Sequence, residues 1–222
     1  MRLEKASLKA IQYSCKYFHY SKSVPVLPFG FSVYNDNDEW CGTIIYSCGA
    51  NPNLGKSYGL VFGEIIELTR MALNGKQEST SKALSLSIRL LPKFAPLIRL
   101  IVSFADQNQN HFGTIYQATN FYYTGIGKST PLWKVNGKLI HQRQLGSLGY
   151  KIKGCKFEKI KQLDKYKYIY PIDKSLIPLC KSLQKEYPKK QAQLPDKGQD
   201  DSIQNQRAFD STIALQNAIK TE

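Results

Sequence analysis

The sequence holds no Cys-x-x-Cys pair, no Gly-Lys-Ser/Thr phosphate loop and no internal repeat. Its five cysteines (Cys15, Cys41, Cys48, Cys155 and Cys180) are an odd number at irregular spacing, which excludes a disulfide framework and a zinc ribbon. They read as reduced thiols filling small core positions. No apolar run approaches the ~18 residues of a membrane span, so no membrane partner is expected. The opening stretch MRLEKASLKA lacks the apolar core of a secretory signal, and a cytoplasmic location follows as an expectation. Acidic residues are few beside basic ones, 17 against 31. Between Arg70 and Phe157 only Glu78 and Asp106 carry negative charge, against 13 Lys and Arg.

What remains is a 222-residue chain that is 42% hydrophobic and 22% charged, enough apolar surface for a real core. A fully disordered chain, a coiled coil and a collagen-like repeat are excluded. The formal net charge is +14. Residues 188–222 hold five basic and five acidic groups, so the whole excess sits in residues 1–187. A field of that sign favours a polyanion: nucleic acid, a phosphorylated cofactor or an anionic surface. The bland alternative is a soluble basic domain with no such partner.

The pattern predicts an α+β domain over 1–187 and a disordered polar tail over 188–222. An edge strand and helix occupy the first 17 residues. Pro25 and Pro28 then force an extended loop. Two β-rich runs around Asn35–Glu39 read as a hairpin, followed by a strand from Gly63 to Met71. A helix from Lys82 stops at Pro92. Leu97 to Ala105 is a buried strand ending at Asp106. Gly113 to Tyr123 reads as a short helix. Residues 130–153 read as strands with turns at Asn136-Gly137 and at Gly146 to Gly149. Lys165 to Pro171 is a last strand, and 207–220 carries a short helical pattern in the tail.

Four segments carry candidate chemistry. Arg70 and the Ser79-Thr80-Ser81-Lys82 helix start could hold a pyrophosphate on free backbone N–H groups, or simply cap the helix. His19 beside Tyr20, on the proline-flanked loop, forms a candidate acid–base pair or a surface pair. Asp106 follows a buried strand in basic surroundings, as a catalytic carboxylate or as an Asx-turn cap. Phe121-Tyr122-Tyr123 with the later lysines (Lys128, Lys134, Lys138, Arg143, Lys151, Lys153) could stack a base and grip phosphates, or form a tyrosine-rich strand.

In order, E-L-T-R, a Ser-led helix, the block F-A-D-x-x-x-x-H-x-G-x-I-Y-Q-A-T-N-F and K-Y-K-Y-I-Y-P resemble the phage-encoded Mom branch of the GNAT (Gcn5-related N-acetyltransferase) fold. The resemblance covers about residues 10–175. It implies a mixed central sheet flanked by helices, as in acyl-CoA N-acyltransferases. It further implies an enzyme that converts adenine in double-stranded phage DNA to its N6-carbamoylmethyl form, shielding that DNA from host restriction. Carried over, His19, Tyr20, Asp106 and Tyr116 would be catalytic. Arg70 and Ser81, with Ser79 and Thr80 beside them, would bind acetyl-CoA. An iron requirement is suggested for the family, with His19, Tyr20 and Asp106 as the N/O donors available; the residues themselves assign no metal site. The sequence departs from the fold's pattern in lacking its G-x-G/A turn. Two other readings stay open: a GNAT-type acetyltransferase acting on a small amine or protein, and a DNA-binding module without catalysis.

Overall fold

Ser7 starts the first helix, α1 (Leu8–Phe18): its hydroxyl accepts the Ala10 amide at 3.2 Å and satisfies one of the orphan donors of a helix start. Its buried residues Ile11, Ser14 and Cys15 recur at helical spacing and form one apolar stripe. In the computed structural model, residues 1–188 are described except 50, 52, 142–144, 146–153 and 155, and all of these belong to one unit, Met1–Pro188. The expected tail from 189 onward, its helical pattern at 207–220, the turn at Gly146 to Gly149, and Arg143, Lys151, Lys153 and Cys155 lie outside the described residues.

Seven strands form the main sheet: β1 (Arg2–Lys5), β2 (Phe29–Tyr34), β3 (Trp40–Ser47), β4 (Ile65–Leu73), β5 (Leu100–Asp106), β6 (Tyr122–Gly127) and β10 (Lys165–Pro171). Their order is β1-β2-β3-β4-β5-β10-β6. Only β4 and β5 run parallel, joined by α2 (Thr80–Phe94); the other neighbours are antiparallel. A second sheet, ordered β8-β7-β9, is built from β7 (Leu132–Val135), β8 (Lys138–His141) and β9 (Phe157–Ile160), between β6 and β10 in the chain. The Asn136-Gly137 turn forms as expected, with both residues at positive φ (48° and 79°), the geometry a two-residue hairpin needs. This mixed, mostly antiparallel sheet flanked by helices agrees with the expected GNAT-like architecture.

The helices cover the sheet unequally. Ala83, Leu84, Ile88 and Leu91 of α2 pack on Phe31, Ile44, Leu68 and Ile101. Burial of each leucine or isoleucine is worth roughly 1.5–3 kcal/mol. On the other face, α1 sets Ile11 and Cys15 against Ile45 and Ala72. A last helix, α4 (Ile177–Leu183), absent from the sequence reading, buries Cys180 against Leu100, Val102 and Ile169.

Two expectations change. α2 runs through Pro92 to Phe94, because a proline in the last turn forfeits a single ladder bond and the Ala95 amide still closes on the Leu91 carbonyl at 2.8 Å. The helix expected over Gly113 to Tyr123 shrinks to one turn, α3 (Thr114–Gln117). Asn120 at φ 62° turns the chain there, and Tyr122 onward joins the sheet as β6.

Candidate active site

The parallel seam opens where the chemistry-bearing residues lie. β4 and β5 pair only from Ile65/Leu100 to Leu68/Ser103, although β4 continues to Leu73 and β5 to Asp106. Thr69 is the extra residue of a bulge against β3, where the register shifts between Ile45 and Tyr46. Bulges bend and twist the strand that carries them. Past it, Arg70 stands on one lip of the opening and Asp106 on the other.

One loop bridges both lips. α1 ends at His19, which adopts extended geometry (φ −123°, ψ 133°), and the chain turns back as the Lys22 amide bonds the His19 carbonyl at 3.0 Å. Tyr20 Oη donates to Asp106 Oδ2 at 3.2 Å. Three residues later Arg70 Nε donates to the Ser23 carbonyl at 3.0 Å and its Nη2 to Ser23 Oγ at 3.1 Å. The loop after α1 thus rests on β5 through a tyrosine and on β4 through an arginine.

Asp106 divides its two oxygens between structure and site. Oδ1 accepts the Asn108 amide at 3.0 Å and Asn108 Nδ2 at 2.9 Å, so the Asx-turn reading holds for that oxygen. Oδ2 takes Tyr20 and Lys165 Nζ, the latter at 3.3 Å. The side chain is 13% exposed, reachable but not bathed in water. Partial burial pushes its pKa up, but the Asn108 side chain, the Lys165 charge and the Asn108 amide outweigh that and hold it below the ordinary carboxylate value. Tyr20 as a whole is 49% exposed. Its hydroxyl is enclosed at the Asp106 end, and that desolvation, followed by the carboxylate charge, holds its pKa above the phenol range. It stays a donor.

His19 stacks on Tyr20 with ring centroids 4.4 Å apart. The Ser21 amide donates to its Nδ1 at 3.2 Å, so the neutral ring carries its proton on Nε2. Desolvation first, then the charges of Arg70, His111 and Lys165, lower its pKa to about 4. At neutral pH it is therefore an uncharged imidazole that offers an N–H. His111 stands edge-on to Tyr20 at 6.1 Å.

The structure brings His19, Tyr20 and Asp106 together. Tyr116 is buried against Phe121 and Tyr168, with its hydroxyl at Ser103 at the end of the β4–β5 pairing, and it acts electrostatically on Tyr20. Burial pushes its pKa up to about 12. Arg70 grips the loop rather than the helix start. Ser79 Oγ caps α2 by accepting the Lys82 amide at 3.2 Å and pairs with Ser81 Oγ at 3.0 Å, while Thr80 Oγ1 accepts Gln77 Nε2 at 2.9 Å. No hydrogen bond joins Arg70 to these three among the described residues. The Thr80 and Ser81 amides have no protein partner among the described residues, which is the donor type a pyrophosphate uses.

Base stacking on Phe121 and Tyr123 is overturned: both are buried in the core, Phe121 completely. The described residues give no support for a resident iron. No group of three or more His, Cys, Asp and Glu among the described residues is placed to hold a metal, and both oxygens of Asp106 are engaged, Oδ1 by Asn108 and Oδ2 by Tyr20 and Lys165. Lys165 and His111 are the site residues that sequence reasoning missed. Lys165 is opposite Asp106 in the β10–β5 register. Only strand pairing could reveal it.

Comparison with known proteins narrows the identity. Among solved structures, the chain is similar to an acetyltransferase of the GNAT family from Bacillus anthracis, with TM-score 0.43 and 11% identity, over 76% of this chain and 93% of that one. A Staphylococcus epidermidis protein described as a probable acetyltransferase gives TM-score 0.44 and 10% identity, over 77% and 98% of the two chains. These likenesses are remote and concern architecture alone. In sequence, the chain is 28% identical over 111 residues to methylcarbamoylase mom of Escherichia phage Mu. That match covers 48% of this chain and 46% of the relative, so it spans about half of that protein's length. The model of the Mom protein family matches residues 2–189, nearly all of the chain outside the tail, and the chain belongs to that family.

Proposed function

We propose that the chain is a DNA-modifying transferase that adds a carbamoylmethyl group to N6 of adenine in double-stranded phage DNA, and so protects that DNA from restriction in the host cytoplasm. One observation carries the reading: in a Mom-family chain, His19, Tyr20 and Asp106 converge across the opened β4–β5 seam, flanked by Arg70 and Lys165.

The N6 amine of adenine is a weak nucleophile, because its lone pair is delocalised into the ring. The base must leave the stack, and N6 must shed a proton as its new bond to carbon forms. Bond formation makes that proton acidic, so a carboxylate of low pKa suffices to take it. Asp106 Oδ2 is that acceptor. Tyr20 and Lys165 fix the carboxylate and compensate its charge. The neutral His19 directs its Nε2–H as a donor and leaves proton abstraction to Asp106. Tyr116 supports the floor of the site through Ser103.

The Thr80 and Ser81 amides, with the nearby hydroxyls of Ser79 and Ser81, suit the pyrophosphate of acetyl-CoA, and the open seam beyond Leu68 suits its arm. A bound acyl-CoA would supply an activated acyl carbon with the CoA thiol as leaving group, which by itself makes an N6-acyl adenine; the CH2 link of a carbamoylmethyl group requires a donor whose leaving group departs from that methylene carbon as N6 bonds to it. The small β8-β7-β9 sheet exposes Lys134 and Lys159, with Lys128, Lys156 and Lys161 at its margins. These groups offer phosphate contacts and make duplex binding salt-dependent.

Nuclease digestion and mass spectrometry of DNA from cells expressing the chain tests the reading. A new modified deoxyadenosine, absent with Asp106→Asn, is expected. Unmodified DNA together with acetyl-CoA turnover on another amine would replace the reading with the acetyltransferase one.

A further inference from the structure

The loop that carries His19 and Tyr20 continues into the most exposed apolar tip beside the site. Val26 is 76% and Leu27 75% exposed, and Val24 is also exposed. Hydrophobic side chains this open, in succession, are held by a stiff frame. Pro25 and Pro28 restrict the backbone on either side. Leu27 itself sits at φ 49° and Lys22 at φ 46°, left-handed conformations that a leucine or lysine rarely adopts. The root of the tip is clamped, since Ser23 accepts two hydrogen bonds from Arg70. Val26 is three residues beyond that clamp, a reach of at most about 11 Å.

Resting on the adenine reading above, we propose that Val26 and Leu27 form a wedge that enters the DNA stack and fills the gap left by the extruded adenine. Removing a base from a duplex costs stacking on both sides, and an apolar side chain in the vacated step restores part of it. The surrounding charge is complementary to a DNA backbone: Lys22 stands on the loop, and Arg70 and Lys165 stand at its root. Wedge and site share one segment. Entry of the tip into the stack therefore draws His19 and Tyr20 to the base that leaves it.

The test uses duplex oligonucleotides with 2-aminopurine at the target position in every nearest-neighbour context, together with the purified full chain. This base brightens when it leaves the stack. A several-fold rise in at least one context is expected with the wild-type chain. The double variant Val26→Ser/Leu27→Asn, at exposed positions and with an asparagine that tolerates φ 49°, is expected to lose that rise. Its affinity for the same duplex, by anisotropy, and its melting temperature should stay close to wild type. A flat signal with the wild-type chain, or an undiminished rise with the variant, overturns the wedge. Modified deoxyadenosine in cells is read separately. Its absence sinks the adenine reading, whereas its presence alongside a variant that flips normally sinks the wedge alone.

Discussion

The two ends of the parallel β4–β5 seam are built from similar residues and do opposite things. At the closed end Arg99 lies between two carboxylates, donating to Asp173 at 2.8 Å and to Glu64 at 3.3 Å. The backbone is knitted there as well, with the Arg99 amide on the Glu64 carbonyl at 2.7 Å and the Ile172 amide on the Arg99 carbonyl at 2.9 Å. The Ser175 amide and hydroxyl, then Arg99, hold Asp173 at a pKa of about 2. At the open end Lys165 pairs with Asp106, Arg70 is turned to the Ser23 loop, and the backbone bonds between the strands have ceased. Charge that is matched and tied to backbone locks a fold. Charge in excess, on strands that have parted, holds a loop in place and leaves attraction for an anion.

The sharpest way to break that contrast is to neutralise one carboxylate at each end. Asp106→Asn keeps the oxygen that caps the Asn108 turn and removes the proton acceptor. Modified deoxyadenosine is expected to fall by about 10²–10⁴-fold with little change in melting temperature. Asp173→Asn at the closed end should lower the melting temperature while leaving the yield per folded molecule unchanged. Mass spectrometry and calorimetry on the pair check both halves.

Tyr20→Phe is next in size. It removes the donor to a charged acceptor, a bond of about 1.5–3 kcal/mol, so the modification rate should drop roughly 10- to 100-fold. Gly113→Ala should cost stability instead. Gly113 has φ 74°, and a Cβ there would run into the ring of Tyr168, which is fully buried and cannot yield. Overpacking of this kind costs about 1–3 kcal/mol, read as a shift in the denaturation midpoint.

His19 provides a smaller, pH-dependent signal. Its folded pKa lies near 4, below the ordinary 6.5, so the fold favours the neutral ring. The stability this gives is fully present above pH 6.5 and is lost as pH falls toward 4. His19→Asn should flatten that part of the stability curve, as measured by denaturation at pH 7 and pH 4.5. The smallest effect belongs to the lysines of the second sheet. Lys159→Ala should weaken duplex binding modestly and reduce the slope of log affinity against log salt by about 0.9 for each phosphate that the chain then leaves unneutralised.

Local pattern explains which parts were readable. α1, the β2–β3 hairpin, the two seam strands and the Asn136-Gly137 turn follow from short-range periodicity and turn chemistry. Asp106 stood out because an acid at the end of a buried strand in a basic stretch is rare. The ambiguities that stayed open were the ones neighbours decide. Pro92 looks like a stop until its place in the last turn is known. Phe121 and Tyr123 look like a stacking platform until β6 turns them into the core. Arg70 reads from sequence as a cation beside the helix start, and only the fold shows it holding Ser23.

The sequence alone determined the types of most elements, the charge excess, and the presence of a lone acid after a buried strand and of an adjacent His-Tyr pair, because each depends on residues a few positions apart. Tertiary structure alone decided that a bulge at Thr69 parts the two strands, that β10 brings Lys165 opposite Asp106, and that the loop after α1 spans the opening. Strand register and strand divergence are set by contacts between residues tens of positions apart in the chain, and local pattern does not encode those distances.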